Sequence, residues 1–445
     1  MVNRITAVVG AGAVLDFNYD GYIYPSTKRI TEELLKINFI DNNGKKIELV
    51  KDVHSALESD FVKMKELDEK TCSIGTSIND EINFEVLFYA IESLYSCCKA
   101  HPNEKYPFDR YPYSWLASLV NLPFEYDKED YRRALVECTK KIIKIVDSYD
   151  ERFVNDGTIG ADWYCDFWKS FGNDLNVFNF NYDSTIENSI GVYEDGFVDL
   201  KQGVNHRLKR FEPEVLWYNK KGLSTICHLH GDIRYGLADI PELRTCYGYR
   251  DLYKYQEVDY KGLENRMFLQ FPTNQAREEM VYAPIITGLR KTDKLCYMPS
   301  NFYHAYFAQR ILKNHSLLIV GCSFGDLYAN QLIERHNLIH QEKQRIVLID
   351  RWDMCERSDA HCLYNYVNNC TSSGFRGVLF HLLWDESRSC HVETRDKTIR
   401  ELLFNKMEWR GHFWALKDGR LRIYIDGFND AAENHKSEIM EYLNS

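Results

Sequence analysis

The stretch Ala7-Val-Val-Gly-Ala-Gly-Ala13 constrains this chain most, because an apolar, β-rich run from Ile5 to Val9 ends directly in a glycine pair. An apolar run of that kind reads as a buried strand, and open α/β sheets bind ligands just beyond the carboxyl ends of their strands. A second run, Leu175-Asn-Val-Phe178, leads into Asn179-Phe-Asn-Tyr-Asp183 and sets polar groups at the same kind of edge. The pattern returns in Leu317-Leu-Ile-Val320 before Gly321-Cys-Ser-Phe-Gly-Asp326, and in Arg345-Ile-Val-Leu-Ile349 before Asp350. Helical segments between these runs suit crossover connections, so the expected fold is α/β with a parallel sheet. A nucleotide site at the strand ends is the first functional hypothesis.

The rest of the chain has room for additions to that sheet. At 445 residues, with 44% hydrophobic residues, it exceeds the size at which one core stops growing. Residues 51–172 read as a helical insertion, with Phe84-Glu-Val-Leu-Phe-Tyr-Ala-Ile-Glu-Ser-Leu94 its clearest amphipathic segment. Ser26 or Thr27 caps a helix after Pro25, Asn43-Gly44 marks a small hairpin, and Asp16 to Tyr24 forms a connection long enough to cover a ligand. Val281 to Ile286 reads as another apolar or edge run. After about residue 385 the pattern becomes a helix near 394–408, a hairpin at Asp418-Gly419 and a final helix, which gives a domain at 1–385 and an extension at 386–445.

Charge and cysteines narrow the function. A net charge of −11 without a Lys/Arg run disfavours direct nucleic-acid or anionic-membrane contact. There is no apolar stretch near the roughly 18 residues of a membrane span, and Met1 to Thr6 run into a strand without a leader pattern, so a cytoplasmic location is expected. The 13 cysteines include no Cys-x-x-Cys, so they read mainly as buried thiols.

Each motif also has a plain structural reading. Gly10-Ala-Gly12 lacks the third glycine of the dinucleotide fingerprint, and Asp326 at the end of its turn could be a helix cap. Asn181 after a strand could serve an Asx turn. In His228-Leu-His230 one ring reads as buried and the other as functional, and no further ligand stands at metal spacing, so no metal is expected.

In their order along the chain, Gly10-Ala-Gly12, Asn181-Tyr-Asp183, His230-Gly231 and Gly321-Cys-Ser323 resemble the sirtuin-type NAD-binding domain. More closely, the chain resembles a divergent branch of bacterial anti-phage defence proteins, through Asn83-Phe-Glu85, Pro284-Ile-Ile-Thr287 with Lys294, and Gly321 to Asp326. The resemblance implies a Rossmann-like, sirtuin-type sheet over about residues 1–385. It implies hydrolysis of NAD+ to ADP-ribose and nicotinamide, because the four-cysteine zinc module of protein deacylases is missing. Asn181 and His230 would be catalytic, with Asp183 orienting the nicotinamide side or the loop. Gly10, Ala11, Gly12 and Ala13 would contact the pyrophosphate. Asp16, Gly321, Ser323, Phe324, Asp326 and Asp350 would complete the dinucleotide site, Ser323 and Asp350 facing the adenosine ribose. A non-catalytic NAD or ADP-ribose sensor and a deacylase or ADP-ribosyltransferase are the alternatives. Relatives in this branch are commonly paired with a HerA-type ATPase, so a homo-oligomer dependent on such a partner is expected, with the insertion and Gly411 to Ser445 as contact surfaces.

Overall fold

In the computed structural model the described residues are 4–16, 26–40, 44–59, 82–97, 126–155, 162–199, 208–237, 252–255, 281, 283–287, 295, 298–369, 373–383 and 395–445. Their strands, in chain order, are β1 (Ile5–Val9), β2 (Phe39–Ile40), β3 (Lys46–Ile47), β4 (Leu175–Asn179), β5 (Phe197–Asp199), β6 (Leu208–Phe211) and β7 (Thr225–His228). They continue with β8 (Tyr235–Leu237), β9 (Leu252–Tyr255), β10 (Ser316–Val320), β11 (Arg345–Ile349), β12 (Met407–Trp409), β13 (Phe413–Leu416) and β14 (Leu421–Tyr424). Every residue of β1, β4 and β10 is buried, as expected of strands covered on both faces.

The main sheet runs β12-β13-β14-β11-β10-β1-β4-β7. Pairings among β14, β11, β10, β1, β4 and β7 are all parallel, whereas β12 and β13 add an antiparallel edge. Counted along the chain, the parallel strands stand in the order 3-2-1-4-5-6, that of a doubly wound Rossmann-like fold. The order reverses between β1 and β10. A ligand crevice is therefore expected above those two strands, where both glycine turns emerge.

Helices close the two faces. Tyr303, Phe307 and Ile333 pack with Val8, Phe178 and Ile319 on one side, while Trp163, Phe167 and Ile439 pack with Ala7, Val177 and Val320 on the other. The insertion has its own core of Ile30, Leu87, Phe88, Ile142 and neighbours, which reaches the sheet through Tyr182, Ile233 and Ile285. Its 28-residue helix, Lys128–Asn155, is the longest element described. Ser26 caps the Thr27–Leu34 helix and β2 pairs with β3, as the sequence suggests. The proposed cover after Asp16 and Lys294 lie outside the described residues. No described helix is long and apolar enough to cross a membrane.

Two features extend or correct the sequence reading. The tail after residue 385 contributes β12, β13 and β14 to the main sheet, and β14 supplies its sixth parallel strand. Cys138 and Cys227 are buried thiols as expected, but Cys355 and Cys362 are joined in a disulfide, with Cα atoms 6.3 Å apart. Seven residues apart and without a motif, that pair carried no signal.

Phe428 shows how firmly the tail is held. It is 2% exposed, and its ring meets those of Trp163, Tyr164, Phe167 and Trp168 edge-on at centroid distances of 5.3, 5.5, 4.8 and 5.8 Å. Phe428→Ala is expected to destabilise the chain by about 3–5 kcal/mol, since a deep aromatic truncation combines lost transfer energy with a cavity. Urea unfolding measures this, and a loss below about 1 kcal/mol would show that the tail is peripheral to the core.

Candidate functional site

The two glycine turns meet backbone to backbone. Gly10 N–H donates to Val320 O at 3.0 Å, and Gly12 N–H donates to Gly321 O at 2.9 Å. A Cβ on Gly10 would lie 2.5 Å from Gly321 O, and one on Gly321, whose φ is +58°, would lie 2.1 Å from Ala13 N. Only glycine permits that approach. The N–H of Ala13 also bonds within the turn, to Gly10 O at 3.0 Å. Close packing of β1 on β10 thus accounts for much of the glycine pattern, and of this turn Ala11 is the residue most exposed to the crevice.

Beside it, the loop after β4 is locked from several directions. Asn179, rather than Asn181, makes the Asx turn, accepting from Asn181 N–H at 3.0 Å. Asn181 reaches across to donate from Nδ2 to Gly10 O at 3.1 Å. Asp183 is fully enclosed and accepts from the backbone and hydroxyl of Thr185, at the start of the Thr185–Ile190 helix. Burial raises its pKa, and it holds the loop from behind. Asp150 from the long insertion helix accepts from Ser184 N–H at 2.8 Å, and Tyr182 OH donates to Ile286 O at 3.1 Å.

β7 ends at His228 and His230 lies in the turn beyond it, which separates the two histidines. His228 is 1% exposed, with Nδ1 3.0 Å from Asn181 O and Nε2 2.7 Å from Glu187 Oε1. Both neighbours accept, so both ring nitrogens carry hydrogen and the ring is an imidazolium. Burial opposes that charge, yet Glu187 and Asp232 outweigh it and raise the His228 pKa. Burial also opposes ionisation of Glu187 and Asp232, but His228 and Arg234 hold both carboxyls below their ordinary values. Arg234 bonds Glu187 and Asp232 directly. Glu187, His228 and Asp232 are metal-ligand types close together, but here the guanidinium is their cation and His228 has no lone pair to give.

A second donor group, His412, His435 and Glu438, lies near the tail. Its two imidazoles are parallel, 3.9 Å apart and 2° from coplanar orientation, so their in-plane lone pairs do not converge on one ion.

His230 turns the other way. Its Nε2 lies 3.2 Å from Asp326 Oδ2, and its ring meets Phe180 edge-on at 4.8 Å. The φ of Gly231 is +85°, and a Cβ there would lie 2.1 Å from Pro284 O, so the His-Gly pair turns sharply against the 284–286 segment. Asp326 also caps the Leu327–His340 helix, Oδ1 accepting from Ala329 N–H at 3.0 Å. His230 follows β7 and Asp326 follows β10, with β1 and β4 between them. The contact therefore spans the ends of β1 and β4, beside the reversal.

The remaining expected residues divide. Ser323 is exposed on the rim, whereas Phe324, at φ +56°, buries its ring against Phe375 at 5.0 Å. Asp16 Oδ2 accepts from the N–H groups of Phe428 at 2.8 Å and Asn429 at 3.1 Å, tying the tail down. Asp350 accepts from Arg351 N–H at 2.8 Å and Trp352 Nε1 at 3.1 Å, and burial raises its pKa. Asn83 caps the Phe84–Cys97 helix, accepting from Glu85 and Val86 N–H. The structure brings together Gly10, Gly12, Asn181, His230, Gly321 and Asp326; it places Asp183, Asp16 and the Phe324 ring in supporting positions. Sequence reasoning missed Glu187, Asp232 and Arg234, although Asp232-Ile-Arg234 directly follows the His-Gly pair.

Residues 176–370 match a SIR2-like domain. That span begins in β4 and holds Asn181, His230 and the 321–326 turn, and SIR2-like domains use NAD+. The β1 glycine turn lies outside it but is bound to it by parallel pairing with β4 and β10. Curated proteins offer no match to the chain.

Proposed function

We propose that the SIR2-like domain hydrolyses NAD+, with water as the acceptor, to ADP-ribose and nicotinamide plus a proton. The observation that carries this reading is that Asn181, after β4, bonds the Gly10 turn while His230, after β7, reaches Asp326 in the β10 turn, beside the strand-order reversal. Nicotinamide leaves a cationic glycoside as a neutral base, so the site needs no strong general acid, unlike a glycosidase with paired carboxylates. It needs a sheltered place for an oxocarbenium-like centre and a group to accept a proton. One Asn181 amide hydrogen goes to Gly10; the other, with Oδ1, suits the nicotinamide ribose or the attacking water. His230 accepts the proton, a role matched to imidazole near neutral pH. Ala11 and Ser323, exposed on the two turns, face the phosphates and the adenosine ribose.

Unchecked NAD+ hydrolysis depletes a cell, which suits an effector of anti-phage defence and requires a gate. In this reading the chain is a homo-oligomer whose turnover depends on a HerA-type ATPase that supplies the contact with nucleic acid. Much of the tail is committed to the core, which leaves its outer residues and the insertion as contact surfaces. Light scattering of the chain alone and with a co-encoded ATPase, alongside NAD+ turnover, tests the assembly. A monomer that is fully active alone and ignores the ATPase would overturn it.

A further inference from the structure

We propose that Asp326 is a positioning residue for His230: its carboxylate fixes the ring as the Nε2–H tautomer and leaves Nδ1 as the proton-accepting atom. This rests on the hydrolase reading for its catalytic consequence, though the tautomer itself does not. Asp326 faces two donors. Oδ1 is fixed by Ala329 N–H at the amino end of a 14-residue helix, where the helix dipole favours a negative charge. Oδ2 lies 3.2 Å from His230 Nε2. A carboxylate only accepts, so Nε2 carries the hydrogen, and in the neutral ring Nδ1 keeps the lone pair.

The contact joins loops from strands separated by two others, so a helix cap alone does not explain why Asp326 reaches His230. Burial holds the pKa of nearby His304 down, so His304 adds little positive charge to compete for Asp326. Tyr328, also beside Asp326, has its pKa raised by burial and stays neutral, its OH donating to His304 O at 3.1 Å. Phe180 contributes a ring edge and no charge.

Asp326→Asn keeps a good helix cap and removes the carboxylate; Asp326→Ser keeps a cap but is too short to reach the ring. Both should fold with near-unchanged melting temperature. Turnover is expected to fall about 10- to 100-fold, the usual cost of losing an orienting partner of a functional histidine. Loss of the carboxylate lowers His230 basicity, so the acid limb of the kcat/KM profile should move to lower pH. Imidazole 15N spectra, with the His230 signal identified by its loss in His230→Gln, should show Nε2–H in the parent chain and a changed tautomer balance in Asp326→Asn. That spectrum separates the two ideas, because a parent chain without turnover would count against the hydrolase reading alone. An unchanged 15N pattern, an unmoved acid limb or faster turnover in the variants would overturn the positioning role.

Discussion

His230→Ala should lower nicotinamide release by about 10²–10⁴-fold, the range typical of removing a general base. Its side chain is 8% exposed and contacts Asp326 and the Phe180 edge, so the loss should fall on turnover more than on folding. Asn181→Ala should abolish measurable turnover as well, but with a second signature. Its amide donates to Gly10 O, which keeps the Ala13 N–H as a second donor, so withdrawing the amide costs about 0.5–1.5 kcal/mol. Melting curves recorded beside the kinetics separate the two effects. Near-normal turnover in either variant would contradict the assignment.

The second large effect is on stability. Arg234→Ala removes the guanidinium that pairs directly with buried Glu187 and Asp232 and leaves His228 as their direct partner, and breaking a buried ion network by removing one partner costs about 3–5 kcal/mol. The pH dependence of the parent chain follows from the same groups. Glu187 and Asp232 have folded pKa values below their unfolded ones, so their stabilisation is present above the ordinary carboxylate range and is lost as pH falls toward the lower folded values. His228 has a raised folded pKa, so its stabilisation is present below about 6.5 and is lost as pH rises through the raised value. Asp150 and Asp183 work oppositely: burial raises them, so they cost stability at neutral pH and recover it on protonation. Chemical unfolding of the parent and Arg234→Ala across pH 3–9 checks both claims. Equal midpoints at neutral pH would show that the network contributes little.

The strand ends were legible because β1, β4, β10 and β11 are apolar runs that stop abruptly at Gly10, Asn179, Gly321 and Asp350, a pattern set by local composition. The parting of His228 from His230 was not legible, because residues two apart on a strand share a face and only the turn after β7 separates them. What else escaped was non-local. Nothing near Leu421-Arg-Ile-Tyr424 says that it pairs with β11 more than 70 residues earlier. The Asp326 cap was readable, but its reach to His230, 96 residues away, is a property of the closed sheet. Gly10 and Gly12 also meet the Gly321 backbone, which was not legible because a glycine pair has the same appearance whether a ligand or another backbone comes close.

The measurement closest to the central claim is product analysis of NAD+ incubated with the purified chain, with and without the proposed HerA-type ATPase. Nicotinamide and ADP-ribose are expected in equal amounts in at least the partnered sample, and at least about 100-fold less of each from His230→Ala. Intact NAD+ in both samples, or a product in which ADP-ribose is carried by an acyl group or a protein side chain, would contradict it.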